Sequence, residues 1–472
     1  MNGMNENPLD ILPELLLAAS AVLGLLIGAW LPRSRQWLVG LLAAVAACAG
    51  IVAAAVAATL PDLTAFGEAF TVDPVTSTSR IVVLGGLLLV LTLCAGRFHA
   101  HPRESEFYVL LQLSALGALV MAGTQDLLLL VAGYLLASIP AYTLAGFRKD
   151  GPGTEAALKY YVIGALLGVL MLAGITVLYA AGRATGYPLL GPALPEAPEA
   201  LVAAGVVGLL AGVLFKVGAV PAHFWVPDAV QGSTAPVAAF LTTIPKTGAL
   251  AALLRLGDAV LADSGVPWPA VISVVSAASM TLGNLAAFFQ DDVKRLLAYS
   301  TISQVGYLLL PVAVVGRSDL AQEALLYYVA AYAVTNLGAF AVVCALPRAR
   351  RIGDYRGLAR LRPLLAASLV ICLLGLVGTP PTAVFVGKLE VFSAAFDGGY
   401  TWLAVLAAVN TVASLFYYLR WIVPSVSRGG GDELAHGDRP ARAVAYVAAT
   451  ISVGLGLAAG PVLPALSGSV AT

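Results

Sequence analysis

Apolar residues run along this chain in stretches of about twenty, and polar and charged residues gather into short segments between them. At a rise of 1.5 Å per residue, a helix of that length crosses the hydrocarbon core of a bilayer. Roughly fourteen such stretches can be marked, over 11–31, 37–59, 80–96, 106–123, 126–147, 156–181, 200–220, 236–256, 268–289, 293–315, 320–346, 363–396, 400–424 and 441–461. The pattern predicts an all-α polytopic membrane protein. Asp10 and Glu14 open the first stretch and no basic segment precedes it, so it reads as a retained span and not as a cleaved signal. The longer polar segments, at 60–79 and 182–199, read as surface connections.

Two of the stretches are interrupted. Val220-Pro221-Ala222-His223 breaks the seventh, and Gly378 with Pro380 and Pro381 breaks the twelfth. Proline removes a helical donor and clashes with the preceding turn, and inside a bilayer the freed carbonyls need other partners. Paired broken spans point to an internally repeated transporter. The breaks are five spans apart, and five is odd, so the repeats are expected to have opposite topology. The division predicted is 1–105 for three N-terminal helices, 106–260 for spans 4–8, 261–425 for spans 9–13, and 426–472 for an inner loop and the last helix.

Composition sharpens this picture. Of 472 residues, 60% are hydrophobic and 11% charged, and the mean hydropathy is +0.90, whereas a soluble domain carries about 25% charged residues. Basic and acidic residues balance at 26 each, which removes the basic excess a nucleic-acid partner requires. Cys48, Cys94, Cys344 and Cys372 lie in apolar stretches without metal-binding spacing, and His99 and His101 lack a third ligand nearby, so no metal is expected.

Charge placement gives orientation. Arg33 and Arg35, Arg97 and Arg103, Arg148 and Lys149, Lys294 and Arg295, the cluster from Arg348 to Arg362, and Arg428, Arg439 and Arg442 occupy alternate segments between spans. The intervening segments hold acids such as Asp62, Glu68, Asp73, Glu196 and Asp258. Basic segments stay on the cytoplasmic side, so both termini are expected on the other side.

The lysines carry the candidate chemistry. There are six, and Lys216, Lys246 and Lys388 lie at membrane depth. A charge there is costly and marks function by default, and lysine, unlike arginine, can give up its proton when buried. Snorkelling to the interface is the plain alternative. It is weak for Lys246, ten residues or so into its span. His223, two residues beyond Pro221, can donate to a freed carbonyl or relay a proton. Glu390 stands two residues from Lys388, about 200° around a helix, so the two side chains face apart. Asp228, Asp291 and Asp292 read as ion-pairing or helix-capping groups.

The segments AGVLFKVGAVPAHFWVPDAVQGSTAPVAAFL, GNLAAFFQDDVKRLLAYSTISQVGYLLL, YAVTNLGAFAVV and LLGLVGTPPTAVFVGK resemble the antiporter-like membrane subunits of respiratory complex I, and most closely the smallest of the three. The likeness runs from about residue 80 to 425. It implies two inverted five-helix bundles with discontinuous seventh and twelfth helices. It also implies proton transfer through Lys216, Lys246 and Lys388, with His223 after the first break. One position departs from the family pattern: where G-L-E-L-L-S-x-P is usual, this chain has Gly133-Tyr134-Leu135-Leu136-Ala137-Ser138-Ile139-Pro140, with Leu135 in place of the glutamate that pairs with Lys216. Glu390 is the candidate compensating carboxylate.

The resemblance implies a proton-translocating subunit of an NADH:quinone oxidoreductase-type complex in a bacterial cell membrane. It would be surrounded by lipid and by other membrane-arm subunits, and would bind no cofactor itself. NADH, FMN, iron–sulfur clusters and quinone would belong to partner subunits. The alternatives are a subunit of a multi-subunit Na⁺/H⁺ antiporter or membrane-bound hydrogenase, and a non-conducting scaffold, the last suggested by Leu135.

Overall fold

The computed structural model describes residues 7–98, 101–429, 434 and 438–467; His99, Gly430 and Gly431 lie outside them. Thirteen described helices are long and apolar enough to cross a membrane. In chain order the helices are α1 (Leu12–Trp30), α2 (Trp37–Ala57), α3 (Pro74–Cys94), α4 (Glu104–Gly123), α5 (Leu127–Ala145), α6 (Gly151–Gly182), a short α7 (Tyr187–Ala193) and α8 (Glu199–Val217). There follow α9 (Trp225–Gly232), α10 (Ala235–Arg255), α11 (Trp268–Ala287), α12 (Val293–Ala313), α13 (Ala321–Ala345), a single turn α14 (Leu358–Leu361), α15 (Pro363–Val377), α16 (Ala383–Asp397), α17 (Thr401–Val426), α18 (Arg439–Leu457) and the turn α19 (Ala459–Val462). The twelfth stretch of the sequence is the pair α15 and α16, each too short to cross alone, which supplies the fourteenth crossing.

Acidic caps set where several helices begin. Asp73, Asp126, Asp150 and Asp292 each accept hydrogen bonds from backbone N–H groups in the first turn of α3, α5, α6 and α12, satisfying donors the helix cannot. Helices α10, α12 and α13 are buried on nearly every side and form the centre. By contrast α2, α6, α17 and α18 turn broad apolar faces outward, as lipid-facing helices do.

Two features differ from the sequence reading. Helix α3 starts at Pro74, several residues before the apolar stretch that marks it, because its first turns carry buried polar side chains. Arg80 makes a two-pronged contact with Glu14 of α1, both bonds at 2.8 Å. Arg255, at the end of α10, reaches Asp73 at 2.6 Å and Thr76 at 2.8 Å. The second half of the connection at 60–79 also folds inward, while most of 60–69 stays exposed. Strands β1 (Leu63–Ala65) and β2 (Phe70–Val72) pair as an antiparallel hairpin, and all three residues of β2 are buried, Phe70 with its ring against Gly123.

Candidate functional site

The two breaks have the same construction. Helix α8 stops at Val217, Gly218 takes the left-handed conformation (φ 81°), and a cis Val220–Pro221 bond precedes α9. Helix α15 stops at Val377, Gly378 is left-handed (φ 92°), and a cis Pro380–Pro381 bond precedes α16. Gly218-Ala219-Val220-Pro221 and Gly378-Thr379-Pro380-Pro381 thus correspond position by position. In each, the two N–H groups after the helix fold back on the carbonyl four residues before the glycine. Gly218 and Ala219 bond Leu214 at 2.9 and 3.0 Å, and Gly378 and Thr379 bond Leu374 at 3.0 and 3.1 Å. A left-handed glycine closing a helix in this way is the usual C-terminal cap, and the prolines keep the helix from resuming at once.

The last carbonyl of each first half is met by a lysine. Lys246, midway along α10, donates to the Val217 carbonyl at 2.6 Å. Lys388, on α16, donates to the Val377 carbonyl at 2.9 Å and to Thr411 Oγ1 at 3.2 Å. Both heads also lie against aromatic rings, Lys246 at 5.8 Å from the centre of Trp225 and Lys388 at 4.0 Å from that of Tyr307. These carbonyls are the negative ends of helix dipoles, an electrostatic seat for an ammonium worth up to about 2 kcal/mol when partly buried. Lys216 is placed differently: it donates to Ser138 Oγ of α5 at 2.9 Å, beside the ring of Tyr134. All three lysines are at most 3% exposed, so none snorkels. Among the described residues none of them forms an ion pair.

Leu135 is 42% exposed on the outer face of α5, and Ser138, one turn on, holds the contact to Lys216. Glu390 is half-buried on α16, close enough to Glu323 and Tyr327 of α13 for its charge to act on both. Among the described residues it forms no ion pair with Lys216. His223 sits half-buried in the first break with its ring 4.5 Å from that of Phe224. The three acids pair and cap: Asp228 meets Lys159 at 2.9 Å and Arg295 at 3.0 Å, Asp291 meets Arg420 at 2.7 Å, and Asp292 caps α12. Asp228 also borders a cavity of about 530 Å³ shared with Arg148, Lys294 and Arg350.

Between Lys246 and Lys388 lies a set of buried polar groups that were not singled out in the sequence. The Thr242 carbonyl, one turn before Lys246, is 2.9 Å from Tyr332 Oη, which is also 3.1 Å from Thr301 Oγ1. Asn336 donates to Thr242 Oγ1 at 2.9 Å. Gln304 donates to the Leu376 carbonyl at 2.7 Å and accepts from Tyr328. Thr411 carries the contact of Lys388 on to Tyr307 Oη at 3.1 Å. The available signal was helical spacing: Ser300, Gln304 and Tyr307 recur at i, i+4 and i+7 along one stripe of α12, with Thr301 beside it. Among the described residues no three metal-binding side chains come together.

Comparison with known proteins gives a consistent result. Residues 124–414 match the family model described as NADH:quinone oxidoreductase/Mrp antiporter, transmembrane. NADH-quinone oxidoreductase subunit N 1 of Streptomyces griseus subsp. griseus is 53% identical over 469 residues, 99% of each chain. A chain of respiratory complex I from Thermus thermophilus superposes with a TM-score of 0.83 at 33% identity, covering 96% of this chain and 99% of that one. A chain of the Mrp complex from Dietzia sp. shares the fold, with a TM-score of 0.87 at 21% identity over 98% and 97% of the two chains.

Proposed function

This chain belongs to the NADH:quinone oxidoreductase/Mrp antiporter family of membrane subunits, and on that premise we propose that it moves protons across the membrane arm of a complex I-type enzyme. The observation that carries the reading is the pair of lysines seated on the two half-helix carbonyls, Lys246 on Val217 and Lys388 on Val377. A buried lysine held by neutral oxygens has no fixed counter-charge to lock its proton in place, and a carbonyl accepts from the ammonium or the amine alike. Lys216 takes up a proton on the α5 side and passes it to Lys246. The polar groups around Thr242, Tyr332, Gln304 and Tyr307, with intervening water, connect Lys246 to Lys388, from which the proton leaves outward. His223 serves the first break as a structural donor or relay.

NADH, FMN, iron–sulfur clusters and quinone are assigned to partner subunits, whose reaction drives the lysines between charged and neutral forms. In this reading residues 106–260 and 261–425 act as the two inverted units, and the alternation of basic segments supports an orientation with both termini outside the cytoplasm. The near full-length likeness to subunit N supports this reading over a cation antiporter, for which the Mrp likeness gives the fold alone.

The test is the assembled complex in liposomes with Lys216, Lys246 and Lys388 all replaced by alanine. Loss of the protons this chain contributes per NADH oxidised, with the complex still assembled, is expected. A triple variant that pumps with unchanged stoichiometry makes the chain a scaffold.

A further inference from the structure

The lysine seats are made possible by what the two glycines lack. A Cβ on Gly218 would stand 2.7 Å from Lys246 Nζ, and one on Gly378 would stand 2.9 Å from Lys388 Cδ. Both distances are shorter than real Cβ contacts, and in both cases the nearest atom belongs to the lysine itself; at Gly218 the added Cβ also comes within 2.9 Å of Val226 Cγ2, whereas at Gly378 the nearest atoms all belong to Lys388. The geometry points to Gly218 and Gly378 as positioning residues: beyond closing their helices, they hold open the space through which Lys246 and Lys388 reach the Val217 and Val377 carbonyls. The lysine side chain is the part most able to give way, so a methyl group at either position displaces the ammonium without unfolding the helix pair. The role rests on the proton-transfer reading of the two lysines, while the geometry can be tested separately from it.

Backbone strain has to be separated from loss of the seat, because any other residue at these positions is strained in the left-handed region. The chain provides matched controls. Gly265 (φ 74°) and Gly399 (φ 83°) are equally left-handed, and a Cβ on either meets nothing within 4 Å. Neither touches a lysine of the site.

The experiment compares the assembled complex carrying Gly218→Ala with one carrying Gly265→Ala, in liposomes. Both variants are expected to lose thermal stability through the left-handed backbone, Gly218→Ala by more because its methyl group also meets Val226. Gly218→Ala alone is expected to slow pumping by about tenfold, the scale set by one lost hydrogen bond to a charged group, and to displace the pH profile of pumping. A density map of Gly218→Ala is expected to show Lys246 away from the Val217 carbonyl. A map with Lys246 still on that carbonyl, or pumping equal to that of Gly265→Ala, overturns the inference. Should Gly218→Ala fail to assemble, Gly378→Ala against Gly399→Ala asks the same question at Lys388. A displaced lysine accompanied by full pumping in a Lys246→Ala complex leaves the geometry standing and removes the proton-transfer reading instead.

Discussion

Each of the three membrane-depth lysines rests on an uncharged oxygen, Ser138 Oγ for Lys216 and a half-helix carbonyl for Lys246 and Lys388. A buried charge without a paired carboxylate is costly, and hydrogen bonds offset only part of that cost. The oxygens that remain therefore decide how readily each lysine holds its proton. Ser138→Ala removes the only hydrogen-bond partner that Lys216 has among the described residues. About 1.5–3 kcal/mol of support for its charged form goes with it, so pumping by the assembled complex is expected to fall by roughly tenfold or more. The initial rate of acidification on NADH addition measures this; an unchanged rate means that Lys216 does not use Ser138. The lysines were legible because a charge in an apolar stretch stands out. Ser138 was not, because a serine on a packed membrane helix looks like any small interface residue. The departure at Leu135 was legible only through the family pattern, and only the fold shows that Leu135 faces outward while Ser138 faces the lysine.

The broken helices were legible from their prolines, and Gly378 marked the second break, but the role of Gly218 in ending the first was not legible. Val217 and Val377 end their helices because Gly218 and Gly378 turn left-handed, three residues before Pro221 and Pro381. Helix α3 was misplaced for the opposite reason: its first turn is polar yet buried, and hydropathy cannot distinguish a buried ion pair from a surface loop. That turn begins at Asp73, which ties α3 to the end of α10 through Arg255. Burial alone would raise the Asp73 carboxyl, but the Arg255 charge and the hydrogen bonds from Arg255 and Thr76 outweigh it and hold the carboxyl below its ordinary 3.8. A group lowered in this way contributes stability that is present above the unfolded value and is lost as pH falls through the folded one. Asp73→Asn is expected to cost about 3–5 kcal/mol at neutral pH, because Arg255 is left buried without its counter-charge. The gap to the unaltered protein should narrow as pH drops below 3.8. Thermal unfolding at pH 7 and near pH 3 reads both effects, and a gap that stays constant across that range contradicts the ion-pair account.

Across the whole molecule, the number of crossings followed from hydropathy because the length of a spanning helix is set by the bilayer and not by tertiary contacts. The inward fold of β2, and the burial of α10, α12 and α13, depend on contacts between distant segments and could not be read from local pattern. The result is a central helix, α10, whose lysine reaches a carbonyl made available by a break in another span. The claim that this lysine carries a proton, and is not merely a buried positive charge, is tested most directly by Lys246→Arg in the assembled complex reconstituted in liposomes. Arginine keeps the charge but does not release its proton. Pumping through this chain is expected to be lost while assembly and electron transfer to quinone persist. A Lys246→Arg complex that pumps at the unaltered rate and stoichiometry would contradict the account, because a fixed charge at this position would then be enough.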